Sequence, residues 1–407
     1  MTSADSDAIV IVGGGHAAAQ LCTGLAAAGL GERVHLVCEE PELPYQRPPL
    51  SKSYLKSHEE GLQAHREAGW YADAGITMHR ADPALDIDRA GRRVRLRSGL
   101  ELAYARLVLA TGARPRRLPH LPPGLDNVAE LRSAADALRL RAKLHAAAHV
   151  TVLGGGFIGL EIAASARALG KRVTVLESAP RLLLRSVSAE LAEHVLQTHR
   201  AAGIDVRLGA AVGDFEIVEG RLRSLVVDGV REPVELLVPG IGAVPEHTLA
   251  SAAGLDCENG IVVDEHMRTS DPAILAMGDC TFFPEPSSGR RLRLESVQNA
   301  NDQARAALAT LLGKPQPYRA LPWFWSDQGG LRLQIAGLLP HEATPHRRAG
   351  ATPASFSLMH YMGTRLVCVE SANAPLDHIN ARKLLEAGRS PAPDLACDPS
   401  IALKSHL

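Results

Sequence analysis

The chain has 407 residues, of which 46% are hydrophobic and 22% are charged, and its formal net charge is −1. This length allows two or three domains, and the composition is that of an ordinary globular protein. A nearly neutral charge argues against a nucleic acid or an anionic membrane as the partner.

The N-terminal residues do not predict a targeting signal. Residues 1–7 are polar and acidic, without the basic start of a signal peptide or the arginines of a transit peptide. Residues 8–31 lack charged side chains and are long enough to span a bilayer, but glycines at 13–15 and Gln20 interrupt them. A buried strand, a turn and a helix explain this run better, so we expect a cytoplasmic protein.

Residues 8–37 predict a strand, a glycine turn, a helix and a second strand. Residues 8–12 are an apolar run of strand length, an alanine-rich helix follows over about residues 17–28, and residues 34–37 form the next strand. The turn at residues 13–18 reads Gly-Gly-Gly-His-Ala-Ala, with alanine where a dinucleotide-binding loop usually has its last glycine.

The same pattern returns further along the chain. A strand is expected at residues 150–153, a helix over about residues 159–169 and a strand at residues 173–176, and the turn at residues 154–159 reads Gly-Gly-Gly-Phe-Ile-Gly. Glycine permits positive φ, lets a pyrophosphate approach the backbone and opens a helix whose N-terminus attracts anions. Because both turns lie between a strand and a helix, dinucleotide binding is favoured over a simple tight turn.

Each unit ends in an acidic residue, Glu39 in the first and Glu177 in the second. A carboxylate at this place accepts hydrogen bonds from ribose hydroxyls and repels a 2′-phosphate. Glu177 therefore favours NAD over NADP, although Arg181 nearby weakens that exclusion. The alternative interpretation of either carboxylate is a solvated strand end.

Proline-rich residues 114–124 predict a linker, and a second crossing is expected near residues 240–245. Beyond Pro322, residues 356–362 and 365–370 predict a hairpin and residues 381–386 a short helix. We expect an α/β fold with two Rossmann-like dinucleotide-binding domains and a small C-terminal α+β domain. The predicted domains are residues 1–115 with 244–320, residues 116–243, and residues 321–407.

The six cysteines and 17 histidines suggest no redox or metal chemistry. No two cysteines are close enough in sequence for a redox or zinc motif, and no histidine pair has metal-ligand spacing. We expect no metal site, and we expect each cysteine to be a small buried hydrophobe.

Residues 47–52 read Arg-Pro-Pro-Leu-Ser-Lys, and the two prolines stiffen the segment and fix the direction of Lys52. One interpretation is a rigid surface loop with a solvated lysine. The other places Lys52 at a buried ring that must accept negative charge.

Residues 44–52 resemble the flavin motif of the FAD- and NADH-dependent ferredoxin reductases, of the putidaredoxin reductase type, with a glutathione reductase-type fold. These enzymes serve P-450-type monooxygenases and ring-hydroxylating dioxygenases. The resemblance extends from about residue 8 to about residue 340. It is carried further by four segments: residues 110–115, 269–279, 295–300 and 322–328.

The resemblance implies an FAD site in the first domain and an NADH site in the second. The residues expected at FAD are Gly13, Gly15, His16, Ala17, Glu39, Arg47, Lys52, Ala84, Ala110, Thr111, Gly112, Arg132, Gly278, Asp279, Glu295, Ser296, Val297 and Trp325. Those expected at NADH are Gly154, Gly156, Phe157, Ile158, Gly159, Glu177 and Gly242. Among them, Arg132 would meet the pyrophosphate, Asp279 the ribityl chain, and the Val297 N–H the pyrimidine edge.

The resemblance also implies three catalytic residues, Lys52, Glu161 and Trp325. Lys52 would pair with Glu161 beside flavin N5, where a cation favours the reduced, anionic flavin. A plain helix-face role for Glu161 stays open. Trp325 is a candidate for the electron exit, with core packing of the C-terminal domain as an equal alternative.

The implied reaction passes hydride from NADH to FAD and then single electrons to a small [2Fe–2S] ferredoxin. It needs no general acid, base or nucleophile, and the chain has no such constellation. Because such ferredoxins are usually acidic, a basic docking surface is expected, with Arg305 as its strongest candidate. The other candidates are Arg290, Arg291, Arg293 and Arg332, and a solvated loop is the alternative for the first three.

Two other functions remain open. Disulfide reductases and peroxidase-type NADH oxidases of related fold need cysteines after the first βαβ unit, where residues 47–52 stand instead. An NADH reductase of rubredoxin or a quinone is the main enzymatic alternative. A flavoprotein resembling apoptosis-inducing factor, which uses NADH to switch partner binding, is the non-enzymatic one.

Overall fold

The computed structural model describes residues 7–286 and 289–407, so residues 1–6 of the acidic start lie outside the described residues. The chain forms two compact units. The first unit contains Met1–Arg47, Leu62–Arg114 and Ala243–Ala320, and the second contains Pro48–Gly61, Pro115–Gly242 and Leu321–Leu407. The segment with Lys52 thus belongs to the second unit. The division into three domains stays a prediction.

The elements are numbered in chain order within the described residues. The strands are β1 Ile9–Val12, β2 Val34–Val37, β3 Thr77–His79, β4 Ala84–Asp88, β5 Arg93–Leu96, β6 Glu101–Ala103, β7 Arg106–Leu109, β8 Ala113–Pro115, β9 His149–Leu153, β10 Arg172–Glu177, β11 Asp205–Leu208, β12 Val212–Val218, β13 Arg221–Val227, β14 Val230–Pro233, β15 Leu236–Pro239, β16 Ala243–Pro245, β17 Ile261–Val262, β18 Ile274–Ala276, β19 Thr281–Pro284, β20 Arg291–Leu292, β21 Trp323–Gln328, β22 Leu331–Gly337, β23 Thr344–Ala349, β24 Phe356–Met362 and β25 Arg365–Ala372. The α-helices are α1 His16–Ala27, α2 Ser53–Lys56, α3 Ala68–Asp73, α4 Ala134–Ala146, α5 Phe157–Ala168, α6 Ala189–Ala201, α7 Thr248–Ala252, α8 Val297–Leu311, α9 Pro375–Glu386 and α10 Pro393–Cys397, and three 3₁₀ turns lie at Gly31–Arg33, Pro48–Ser51 and Leu403–His406. None of the helices in the two described stretches is long and apolar enough to cross a membrane.

The first unit is built on a parallel sheet with the strand order β18-β7-β1-β2-β3. All four residues of β1 are buried, as expected for the interior strand of a sheet covered on both faces. The alanine-rich helix α1 packs against α8. A Cβ on Gly24 would lie 2.4 Å from Leu308, so this glycine permits their close approach.

The second unit contains a parallel sheet of order β11-β10-β9-β15, which repeats the strand–turn–helix–strand arrangement of the first unit. Both βαβ units predicted from the sequence are confirmed, with element ends shifted by one or two residues. The helix after the second glycine turn begins at Phe157, two residues before the predicted start.

The C-terminal part of the second unit is an antiparallel sheet of order β21-β22-β25-β24-β23. The predicted hairpin is confirmed as β24 and β25, although β25 continues two residues further. The predicted short helix is a 12-residue helix, α9, because Pro375 at its first position starts it six residues earlier. Buried Arg348 donates to the carbonyls of Ala396, Asp398 and Ile401 and so holds the chain end against β23.

The prediction that each cysteine is buried is correct for four of the six, whereas Cys257 and Cys397 are only half-buried. All six are free, and four of them, Cys22, Cys38, Cys280 and Cys368, are buried. Burial raises the pKa of Cys38 to about 12, and it also raises the pKa values of the other three. None of these four thiols is poised to ionise near neutral pH.

Glu370 joins the C-terminal sheet to helix α6. Its carboxylate is fully buried and accepts from the Ser188 N–H at 2.8 Å, from the Ser188 Oγ at 2.5 Å and from His360 Nε2 at 2.8 Å. Ser188 is the N-cap of α6, so the carboxylate also lies at the positive end of that helix.

Replacing this carboxylate should destabilise the protein. Glu370→Ala leaves three donors unpaired, and the free energy of unfolding should fall by about 3 kcal/mol in urea unfolding followed by circular dichroism. The control is Glu386→Ala, which removes an exposed carboxylate on α9 and should change stability by no more than about 0.5 kcal/mol. Equal losses in both variants would contradict the anchoring role of Glu370.

Candidate functional site

The first glycine turn is shaped by close contact with the end of β7. Gly13 has a φ of +120°, and a Cβ there would lie 2.2 Å from the Ala110 carbonyl oxygen. Its N–H donates to the Val37 carbonyl at 2.8 Å. Gly112 follows with a φ of +73°. Only glycine fits position 13, which fixes the path of the backbone into α1.

The N-terminus of α1 is open to an anion. Its N-cap, Gly15, makes no side-chain cap, and the first helical turn has no acidic residue. By contrast, Ser133 and Ser188 cap α4 and α6. A Cβ on Gly15 would meet nothing within 4 Å, so this glycine leaves space beside the helix end. This arrangement fits the pyrophosphate of the expected FAD.

Other residues expected at FAD lie around this turn in the first unit. A Cβ on Gly278 would lie 3.4 Å from Ala17, and the Gly278 N–H donates to Gln303 at 2.7 Å. Arg47 donates a hydrogen bond to Glu40 at 2.6 Å, and its guanidinium also interacts electrostatically with Asp279. Burial opposes the charge of this guanidinium, but its acidic neighbours still hold the pKa of Arg47 above its ordinary value.

The remaining residues expected at FAD in this unit occupy strand ends and a helix start. Val297 begins α8, whose N-cap Ser296 accepts from the Asn299 N–H at 3.1 Å. Ala84 is the first residue of β4, and Thr111 donates to the Glu246 carbonyl. Three more complete the set: His16 begins α1, Glu39 is exposed just after β2, and Glu295 pairs with Arg293.

The second glycine turn repeats the construction of the first. Gly154 has a φ of +101°, and a Cβ there would lie 2.5 Å from the Gly240 carbonyl oxygen. A Cβ on Gly159 would lie 2.4 Å from the Gly154 carbonyl oxygen, so the third glycine lets the helix pack on the turn. Gly156 is the N-cap of α5 and makes no side-chain cap, and Gly242 has a φ of +103°. This turn also fits a dinucleotide pyrophosphate.

Glu177 is fixed beside the second turn. Its two carboxylate oxygens accept from the N–H groups of Gly155 at 2.6 Å and Ala179 at 2.7 Å. In the first unit, Cys38 occupies the corresponding place, with its Sγ 2.9 Å from a Cβ built on Gly14. Glu39 is therefore one residue beyond the position equivalent to Glu177, a difference that glycine spacing alone did not reveal.

Lys52 and Glu161 form an ion pair inside the second unit. The Lys52 Nζ lies 2.7 Å from Glu161 Oε2, and the two side chains are 20% and 4% exposed. Lys52 Nζ also donates to the Pro48 carbonyl at 3.1 Å. A lysine held by two partners is not the solvated side chain of a surface loop. Glu161 lies on the buried side of α5.

Trp325 lies on β21 beside Trp323, whose ring also contacts His378 and Arg382 of α9. Alternate residues of a strand point to opposite faces, so Trp323 and Trp325 share one face and Phe324 the other. The ring centroids of the two tryptophans are 5.8 Å apart, whereas Phe324 packs edge-on against Phe157 at 4.7 Å. Phe324 joins the apolar cluster around α5, and half-buried Trp325 does not.

Most of the arginines expected at a partner surface have intramolecular contacts. Arg305 pairs with Asp302 on the same helix, and Arg332 lies 3.6 Å from Asp327. Arg291 donates to the Val263 carbonyl at 2.8 Å.

Arg132, which was expected at FAD, precedes α4, and its backbone N–H donates to Asp136 at 3.1 Å.

Several residues around Glu161 were not singled out from the sequence. Ser51 and Ser326 both donate to its carboxylate, and Gln328 and His199 continue the chain of hydrogen bonds from Ser326. Residues 326–328 belong to a segment that carried the family resemblance, which was a usable signal. His199 sits in an ordinary helical pattern and gave none.

Comparison with known proteins covers nearly the whole chain. The family described as pyridine nucleotide-disulphide oxidoreductase matches residues 7–304, and the reductase C-terminal family matches residues 323–407. Rhodocoxin reductase of Rhodococcus erythropolis is 41% identical, over 97% of this chain and 93% of its own. The ferredoxin reductase for the CYP199A2 system from Rhodopseudomonas palustris has a TM-score of 0.94 at 41% identity, covering 98% of this chain and 99% of that one. The covalent putidaredoxin reductase–putidaredoxin complex has a TM-score of 0.92 at 38% identity, with coverages of 98% and 97%.

These similarities confirm the α/β fold with Rossmann-type domains and the expectation of FAD and NAD(H) as cofactors. The name of the matching family refers to disulphides, whereas in this chain the six cysteines are separate and free. The chain belongs to the pyridine nucleotide-disulphide oxidoreductase family and, within it, to the putidaredoxin reductase-like ferredoxin reductases.

Proposed function

We propose that this protein is an NADH-dependent FAD enzyme that reduces a small [2Fe–2S] ferredoxin of a P-450-type monooxygenase or ring-hydroxylating dioxygenase. Bound FAD would supply the redox chemistry that connects the hydride of NADH to single-electron transfer. The residues of the chain bind the two dinucleotides, hold a positive charge at the flavin and receive the partner. Dependence on NADH favours a cytoplasmic location.

The observation that carries the proposal is the Lys52–Glu161 ion pair. A disulfide reductase of this fold needs a cysteine pair after the first βαβ unit, and here that place holds Lys52 with a buried carboxylate 2.7 Å away. Lys52 would supply positive charge to the bound flavin, and Glu161 keeps the ammonium group in position. Without a thiol acceptor, electrons leave from the flavin itself.

The preference for NADH over NADPH is assigned to Glu177, the last residue of β10. Glu177 is held by two N–H groups, so its negative charge stays beside the second glycine turn, where the adenosine ribose would bind. Arg181 donates to the carbonyls of Val187 and Leu184, both at 2.9 Å. This arginine is thus committed to its own loop, which supports exclusion of a 2′-phosphate.

The proposed electron exit is Trp325. It lies half-buried beside Trp323, on the strand face opposite the apolar cluster around α5. This placement supports an aromatic contact for the flavin or the partner over a role in core packing.

The function is tested by reducing the FAD-loaded protein anaerobically with NADH or NADPH and mixing it with a [2Fe–2S] ferredoxin, a rubredoxin or a quinone. Fast multiple-turnover reduction of the ferredoxin is expected, with NADH much preferred. Faster reduction of rubredoxin or quinone would assign the alternative acceptor. Slow turnover with every acceptor, together with dimerisation on reduction, would favour the switch-type flavoprotein and overturn the proposal.

Gly15→Val should weaken FAD binding without unfolding the protein. A Cβ at this position meets no atom of the chain, but the branched side chain would fill the space in front of the α1 N-terminus. We expect FAD affinity to fall about tenfold or more, measured as FAD retained after desalting. Gly213→Val makes the same change at another open position, on β12, and should retain FAD fully. Full retention by both variants would remove Gly15 from the FAD site.

Glu177→Ala should relax the preference for NADH. The variant loses the ribose acceptor and the charge that repels a 2′-phosphate, so the ratio of kcat/KM for NADH to that for NADPH should fall by about tenfold or more. Steady-state assays with both nucleotides measure the ratio. An unchanged ratio, or a wild-type preference for NADPH, would overturn the role of Glu177.

Arg305→Glu should slow ferredoxin reduction at low salt and leave reduction of the flavin by NADH unchanged. The reversed charge, added to that of Asp302, would repel an acidic partner, and the rate should become less dependent on salt. Arg97→Glu changes the net charge equally on an exposed turn and serves as the control. If the two variants reduce ferredoxin equally well at all salt concentrations, Arg305 is not part of the docking surface.

A further inference from the structure

Glu161 accepts hydrogen bonds from two serines in addition to its ion pair with Lys52. Its side chain is buried, and Oε2 accepts from Ser51 Oγ at 2.5 Å in addition to the Lys52 ammonium group at 2.7 Å. Its other oxygen, Oε1, accepts from Ser326 Oγ at 2.6 Å. The first two donors come from the segment that contains Lys52, and the third comes from β21 of the C-terminal sheet.

Ser326 is itself held by Gln328, which is in turn held by His199. Gln328 Nε2 donates to Ser326 Oγ at 3.1 Å, and Gln328 Oε1 lies 2.8 Å from His199 Nε2 on α6. These three residues, which we name the donor chain, are only 1%, 3% and 2% exposed. Ser326 and Gln328 are two positions apart on β21, so both point to the face that Phe324 occupies.

Each residue of the donor chain donates its hydrogen bond to the next residue towards the Glu161 carboxylate. Gln328 occupies the acceptor side of the Ser326 hydroxyl, which leaves its hydrogen for Glu161. The Gln328 oxygen in turn needs a donor, which the His199 Nε2–H supplies. Burial lowers the pKa of His199, partly opposed by its bond to Gln328, which favours the neutral ring. Aligned hydrogen bonds polarise one another, so the chain stabilises negative charge on Oε1.

We propose that Ser326, Gln328 and His199 are positioning residues for the reductive reaction. They hold the Glu161 carboxylate in one orientation, and Glu161 in turn holds the Lys52 ammonium group in place. The C-terminal sheet thereby sets the charge presented to the flavin, in addition to any role with the ferredoxin. This inference rests on the proposed function, in which Lys52 acts on bound FAD.

The test compares two buried serines of the same sheet. Ser326→Ala removes the donor to Glu161, and Ser326→Thr keeps a hydroxyl there. The control, Ser357→Ala, removes a hydroxyl on β24 that bonds Ser371 at 3.0 Å and Asp377 at 3.1 Å, away from Glu161. FAD-loaded protein is used to measure the limiting rate of reduction by NADH, the NADH dissociation constant and the flavin midpoint potential.

Ser326→Ala should lower the limiting rate about tenfold, as expected for loss of one charge-assisted hydrogen bond. The NADH dissociation constant should stay within about twofold, because the variant does not touch the nucleotide turn. The midpoint potential should become more negative, since a less ordered Lys52 stabilises the reduced flavin less well. Ser326→Thr should restore most of the rate and the potential, and Ser357→Ala should match the wild type in both.

Equal rates and potentials for Ser326→Ala and Ser357→Ala would overturn the inference and assign the donor chain a purely structural role. If Ser326→Ala fails to fold with FAD, Gln328→Met keeps the side-chain volume and breaks the next link. It should slow reduction about threefold with a shift of the potential in the same direction, and wild-type values there would overturn the inference. Failure of the proposed function looks different, because the wild-type protein would then not be reduced by NADH.

Discussion

The buried charge of Glu161 is the constraint on which the active part of this protein depends. An uncompensated carboxylate inside a protein is very costly, and it must be paired or fully hydrogen-bonded. Here Lys52 neutralises it, and Ser51 and Ser326 complete its hydrogen bonding. The stiff proline segment, α5 and the C-terminal sheet are thereby fixed to one another through a single side chain, all within the second unit.

A second constraint shapes the two glycine turns: in each, a backbone carbonyl lies so close to the first glycine that no Cβ fits there. In each unit the first glycine has positive φ and lies against the end of the strand that follows later in the chain, at Ala110 in one case and Gly240 in the other. Because no side chain fits there, the backbone enters each helix along the same path and leaves its N-terminus open. The same construction thus occurs at both proposed dinucleotide sites, and the residue beside the turn differs between them, Cys38 in the first unit and Glu177 in the second.

Local features of the fold and site were readable from the sequence, whereas features made by distant contacts were not. The glycine turns were predictable because glycine spacing encodes backbone geometry, and the direction of Lys52 was signalled by its prolines. The Ser326–Glu161 bond joins residues 165 positions apart, so no local pattern contains it. From the sequence, Glu39 was predicted to be the equivalent of Glu177. The packing of Cys38 against Gly14 shows that Cys38 occupies the equivalent position instead. Helix α9 was predicted too short because Pro375 was not recognised as its first residue.

The most direct test of the account is a double-mutant cycle on the ion pair, read as the limiting rate of flavin reduction by NADH. Lys52→Gln, Glu161→Gln and the double variant would be compared with the wild type in the FAD-loaded state. If Glu161 acts by holding Lys52, the double variant should be no slower than Lys52→Gln alone, because the two residues work as a unit. A wild-type rate in Lys52→Gln, or losses that simply add in the double variant, would contradict it.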